Sequence, residues 1–139
     1  MITDIWKSFR AMPLWVQIWV ALILVPVNMA SLCFVGQNWG AGIAVAAVGA
    51  MMLNLPIMLA ERGLSKAMAL PHVIIWGPLV VAVAWLLATG NSGLDSAFAA
   101  YLKVLLVINV VSLAFDLRDT ALWLEGDRAV AGKGQTERR

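Results

Sequence analysis

At 139 residues, 62% hydrophobic and only 13% charged, the chain is too apolar to cover itself with a water-compatible surface, since soluble domains are about half apolar and a quarter charged. A net charge of +2, with no basic stripe interleaved with aromatics, argues against a nucleic-acid partner. The single cysteine, Cys33, excludes an internal disulfide and any multi-cysteine metal site, and reads as a small apolar filler.

Residues 1–13 carry Asp4, Lys7 and Arg10 among large aromatics. The apolar run that follows is too long for the core of a signal peptide, so the first span is expected to be an uncleaved anchor. Residues 3–12 read as an interfacial amphipathic helix. Ile5, Trp6, Phe9 and Met12 share one side, while Asp4, Lys7, Ser8 and Arg10 avoid it.

Pro13 suits a first helical turn and opens a span expected over 14–36. Trp15 and Trp19 stand where an interfacial aromatic belt belongs. Gln17, Asn28 and Ser31 fall within a sector of about 60° and should face other helices or a wet cavity, because lipid offers no hydrogen bonds. Pro26 removes a donor and predicts a kink. The uncharged turn 37–40 leads tightly into a second span, 41–60, in which Gly42, Ala46, Gly49 and Ala50 form a small-residue face suited to close helix contact. Met51 and Met52 read as adaptable packing, with Asn54 and Pro56 below them.

A polar connection begins at Glu61 and Arg62, with Gly63 as the expected C-terminal cap of span two. Pro71 opens span three, 71–89, with His72 in its first turn. Residues 90–93 form a loop, and Asp95 or Ser96 is expected to cap span four, 97–115. Residues 116–125 continue as a helical extension along the membrane surface, and 126–139 as a flexible tail.

These elements predict an all-α polytopic membrane protein, a bundle of four transmembrane helices with interfacial helices at both ends. Spans of this length match a hydrocarbon slab of roughly 30 Å. Nine of the ten cations lie before span one, between spans two and three, or after span four. By the positive-inside rule both termini face the cytoplasm, and a bacterial inner membrane is the expected location.

The candidate functional residues are the polar groups at membrane depth. Lys103 is the one charge inside an apolar run and by default marks function, although it could snorkel toward Asp95 or headgroups. Asn54 and Asn109 lie at similar depth and suggest a polar layer, with Asn28 as a further buried amide. Nearer the inner boundary come Glu61, Arg62, His72, Asp116, Arg118 and Asp119, which could form a proton relay, a metal site or ordinary interfacial ion pairs. No nucleophile–histidine–acid constellation and no phosphate-cradling glycine loop is present, so neither catalysis nor a cofactor is expected. The leading expectation is an accessory, assembly or scaffold subunit of a larger membrane complex, partnered by the bilayer and by other integral membrane subunits. The alternative is a small homo-oligomeric transporter or channel using Lys103 and the Asn54/Asn109 layer.

Overall fold

The computed structural model describes residues 1–90 and 93–133. A short helix α1 (Ile2–Ala11) precedes four long apolar helices, α2 (Leu14–Phe34), α3 (Gly40–Glu61), α4 (Lys66–Ala88) and α5 (Ser96–Leu124), each long and apolar enough to cross a bilayer. At 1.5 Å per residue, α3 spans about 33 Å, the thickness of the hydrocarbon core. The protein is an all-α, four-span membrane bundle. Its outer surface confirms the solvent: Leu22, Val45, Ile74, Val81 and Val107 are exposed along the helices, where water would penalise them and acyl chains do not.

Small and medium side chains at helical spacing make the core. The helix α4 buries His72, Trp76, Leu79, Val83 and Leu86, and α5 buries Phe98, Leu102, Leu105, Asn109 and Ser112. Both series step by three and four residues, the mark of a single buried stripe. On α3 the buried stripe runs through Ala44, Ala47, Ala50 and Asn54. Ala47 is fully enclosed and its carbonyl accepts the Trp76 indole N–H at 3.2 Å.

This stripe corrects the expected contact face in part: Ala50 is fully buried and Ala46 packs against the core, but a Cβ added at Gly42 or Gly49 would meet nothing within 4 Å. Those glycines point away from the other described helices, and Ala44 and Ala47, about 150° round from them, make the close approach. The cap is corrected too. Arg62, not Gly63, takes the left-handed conformation (φ 51°), and the Gly63 N–H closes the helix end on the Met58 carbonyl at 3.1 Å. Gly63 is needed for space instead. A Cβ there would stand 2.5 Å from Val130 and 2.8 Å from the Ser8 hydroxyl.

The helix α2 is irregular in the way a membrane helix tolerates. A π-helical stretch, Trp19–Leu24, lies just before Pro26, and the Val25 N–H reaches back to the Val20 carbonyl. After the proline the helix tightens to 3₁₀ geometry over Ala30–Phe34. The expected kink is therefore taken up by a widened turn before the proline and a tightened one after it. At the far end Phe34 stacks on Phe98 and Tyr101, with centroids 5.2 and 4.8 Å apart.

No break separates 97–115 from 116–125. The helix α5 runs 29 residues, about 43 Å, so its last turns project beyond the span along the same axis. The chain beyond it does not hang free before residue 134. Val130 pairs with Ser65 in an antiparallel bridge, the Ala131 N–H donates to the Leu64 carbonyl, and Lys66 meets Asp127 at 3.1 Å. The rest of the expected flexible tail, 134–139, lies outside the described residues.

The same end gathers α1. Its Ser8 hydroxyl accepts the Leu64 N–H at 2.9 Å, and Gln17 ties the helix corner by donating to the Arg10 and Met12 carbonyls and accepting from the Arg10 guanidinium. Sequence reading placed Ser8 on the solvent side of α1, whereas it is the helix's one fully buried residue. Beneath α1, Leu64 supplies a backbone donor that only the serine hydroxyl satisfies.

Candidate functional site

Two polar storeys lie inside the bundle, separated along α5 by the seven residues from Asn109 to Asp116, or about 10 Å. In the deeper one Asn28 and Asn109, both fully enclosed, exchange hydrogen bonds: Asn28 Nδ2 donates to Asn109 Oδ1 at 2.9 Å, and Asn109 Nδ2 to Asn28 Oδ1 at 3.1 Å. The second N–H of Asn28 is taken by the Leu24 carbonyl, and the Ser31 hydroxyl donates to the Asn28 carbonyl. This storey is saturated, as a structural clamp between α2 and α5 should be.

The second storey differs in chemistry. His72 donates from Nδ1 to the Asp116 carboxylate, 3.1 Å away, and its Nε2 lies 3.0 Å from the Asn54 amide nitrogen. A carboxylate only accepts, so in the neutral ring Nδ1 carries the proton and Nε2 receives the Asn54 N–H. The imidazole lies flat on Trp76, one turn along the same helix, with centroids 4.0 Å apart and planes 5° from parallel. Asn54 and His72 keep only 7% and 8% of their surface exposed. Asn54 Oδ1 is buried without a hydrogen-bond partner.

This storey opens into a wedge-shaped cavity of about 1050 Å³, at the upper end of ligand-pocket sizes. The outer part of α2 packs against α3, while its inner part lies away from α3 and against α5, where Trp15 meets Phe115 at 5.9 Å and Trp19 packs on the core; both line one wall. Ile5, Trp6 and Phe9 of α1 close the cation-rich end. Asn54, His72, Ser112 and Asp116 form the polar floor, with Lys66, Arg118 and Asp119 at its edge.

The sequence candidates are thus redistributed. Asn54 and Asn109 do not share a layer: the first binds His72 and the second binds Asn28. Lys103 is exposed on the outer surface of α5 and makes no hydrogen bond or ion pair among the described residues. It does not reach Asp95, whose carboxylate caps α5 by accepting from the Ala97 and Phe98 N–H groups. Glu61 and Arg62 sit at the end of α3 outside the wedge; the Glu61 carbonyl accepts from Lys133. His72, expected at the membrane edge, is buried. Among the described residues no three His, Cys, Asp or Glu side chains converge closely enough to hold a metal ion.

Sequence reading grouped His72 with Asp116 in one candidate cluster but did not pair Asn54 with His72. The partners stand 18 and 44 residues apart, and helical spacing within one span says nothing of which face another span presents. No protein-family model, curated protein or solved structure matches the chain.

Proposed function

We propose that this chain is a small membrane transporter that binds amphipathic solutes in the wedge and uses His72 and Asp116 as its titratable centre. One observation carries the reading: the hydrogen-bonded series Asp116–His72–Asn54 is buried between helices yet opens on a cavity of solute size. Ionisable groups inside a membrane bundle are costly and by default functional, and the Asn28–Asn109 clamp already supplies a saturated polar contact for structure. A non-catalytic role fits the geometry, since Asp116 and Asn54 occupy both ring nitrogens of His72 and, among the described residues, no serine or cysteine bonds to it. The cation distribution supports a bacterial inner membrane with both termini, and hence the wedge mouth, on the cytoplasmic side.

The test is a solute-evoked, proton-linked pH change inside proteoliposomes loaded with a pH-sensitive dye, with cationic, neutral and anionic amphiphiles supplied in turn. Wild-type protein should respond to one class, and Asp116→Asn should abolish the response. Wild-type pH changes no larger than those of empty liposomes for every class would sink the reading.

A second reading, an accessory subunit of a larger membrane complex, is favoured by Lys103, whose ammonium a partner helix's carboxylate would satisfy. Co-elution of stoichiometric membrane subunits in mild detergent would support it, and a clean homo-oligomer would not.

A further inference from the structure

We infer that the wedge binds amphipathic ammonium compounds through the unpaired Asn54 carbonyl and the Asp119 carboxylate, and that protonation of His72 inverts the Asn54 amide and expels them. The inference names a substrate class for the transport reading and rests on that reading's site.

The direction of the hydrogen bonds forces the first half. Asp116 accepts from His72 Nδ1, so Nε2 of the neutral ring accepts from Asn54 Nδ2. The Asn54 carbonyl is thereby left over, buried and unpaired in a residue that lines the cavity. Buried acceptors in folded proteins are almost always paired, so the site calls for a donor that the chain does not provide. Asp119, one turn beyond Asp116, lines the same cavity and makes no hydrogen bond among the described residues. Its nearest cations are Lys66, which also meets Asp127 at 3.1 Å, and Arg118. Trp6, Trp15 and Trp19 line the apolar walls, and indole faces attract cations. An unpaired carbonyl, a carboxylate without a hydrogen-bond partner and indoles beside apolar walls match one chemistry: an N–H-bearing cation on an apolar body.

The second half follows from the same ring. A protonated imidazole donates from both nitrogens. Its Nε2–H would then face the Asn54 N–H₂, and the amide turns over to present its carbonyl to the ring. The wedge now receives the N–H₂ face, which offers an ammonium nothing. The added proton also offsets the Asp116 charge across the 3.1 Å contact. The charged groups facing His72 are Asp116, Asp119 and Arg118 from α5 and Lys66 from the start of α4. The α3 wall contributes only the neutral Asn54, and α1 and α2 contribute no ionisable group to the cavity. Proton and ammonium therefore compete for one site, which is the logic of exchange across a membrane.

The test uses three probes with one apolar body: 2-(1-naphthyl)ethylamine, its N,N,N-trimethyl derivative and 2-(1-naphthyl)ethanol. Binding to the full-length protein in zwitterionic nanodiscs is measured by calorimetry at about pH 5 and 8, the range in which imidazoles titrate, with empty nanodiscs subtracted. The amine keeps its charge over this range, like a lysine (about 10.4). At the higher pH it should bind about tenfold more tightly than the trimethyl derivative, and the preference should collapse at the lower pH. Asn54→Leu should erase the preference at both, and His72→Phe, which keeps a ring against Trp76, should erase its pH dependence. Equal affinities at both pH values, a preference indifferent to pH, or tighter binding of the alcohol would each overturn the inference. These ratios are read in the wild-type protein, so misfolding of a variant cannot rescue it. Amine binding without a solute-evoked pH change in the proteoliposomes would defeat only the transport reading, and a pH change without amine preference only this inference.

Discussion

The two storeys make opposite predictions under mutation, and the Asn28–Asn109 clamp gives the sharper number. Asn109→Leu removes two hydrogen bonds and strands Asn28 Oδ1, while one Asn28 N–H keeps the Leu24 carbonyl. Interhelical hydrogen bonds in membranes average about 0.6 kcal/mol each, and stranding a buried polar group adds to that, so the single change should cost roughly 1–3 kcal/mol. Asn28→Leu should cost a similar amount. The double variant replaces both partners with apolar groups and should lie within about 1 kcal/mol of wild type. The assay is equilibrium unfolding in mixed micelles, run as a double-mutant cycle. A coupling energy of at least about 1 kcal/mol is expected, and additivity within about 0.5 kcal/mol would refute the clamp. The double variant should also keep whatever solute-evoked pH change the wild type shows in proteoliposomes, because this storey does not touch the transported solute.

Arg62→Gly should stabilise the protein by about 0.5–1 kcal/mol in the same unfolding assay, since it relieves a left-handed arginine at the end of α3. Ala47→Leu should destabilise by roughly 1–3 kcal/mol, because its Cβ is fully enclosed. Gly49→Leu meets open space and should stay within about 0.5 kcal/mol; a large loss there would show that a neighbouring copy or partner packs on that face. Lys103→Met keeps most of the stem and removes an exposed charge, so expression and unfolding should match wild type. If membrane subunits co-purify with wild type and are lost in Lys103→Met, the accessory reading gains at the expense of transport.

Much of the fold was readable because lipid simplifies the code. Apolar runs of span length located α2 to α5, Asp95 announced the start of α5, and the Gln17–Asn28–Ser31 sector of α2 is buried in the structure. Rotation of one helix against another was not readable. In a soluble protein the apolar face of a helix is its inner face, but here both faces are apolar, so Gly42 and Gly49 looked as well placed for contact as Ala44 and Ala47. The same ambiguity separated Asn54 from Asn109 and left Lys103 among the interior candidates. The docking of Ser8 against Gly63 and Val130 joins three distant segments, and none of the three carries a local pattern that announces it.

The π-helical stretch of α2 can also be understood as a matter of phase. One surplus residue between Trp19 and Leu24 offsets everything before it by about 100° relative to a continuous α-helix. A single helix can thus turn Trp15 and Trp19 to the wedge at one level and Asn28 and Ser31 to the clamp at another, two faces that a regular helix would place out of register. Its length is then as constrained as its composition. Deleting one of Ala21, Leu22 and Ile23 would rewind the stretch to α geometry and swing the tryptophan wall away from the wedge, even though every side chain named in the site remained in the chain.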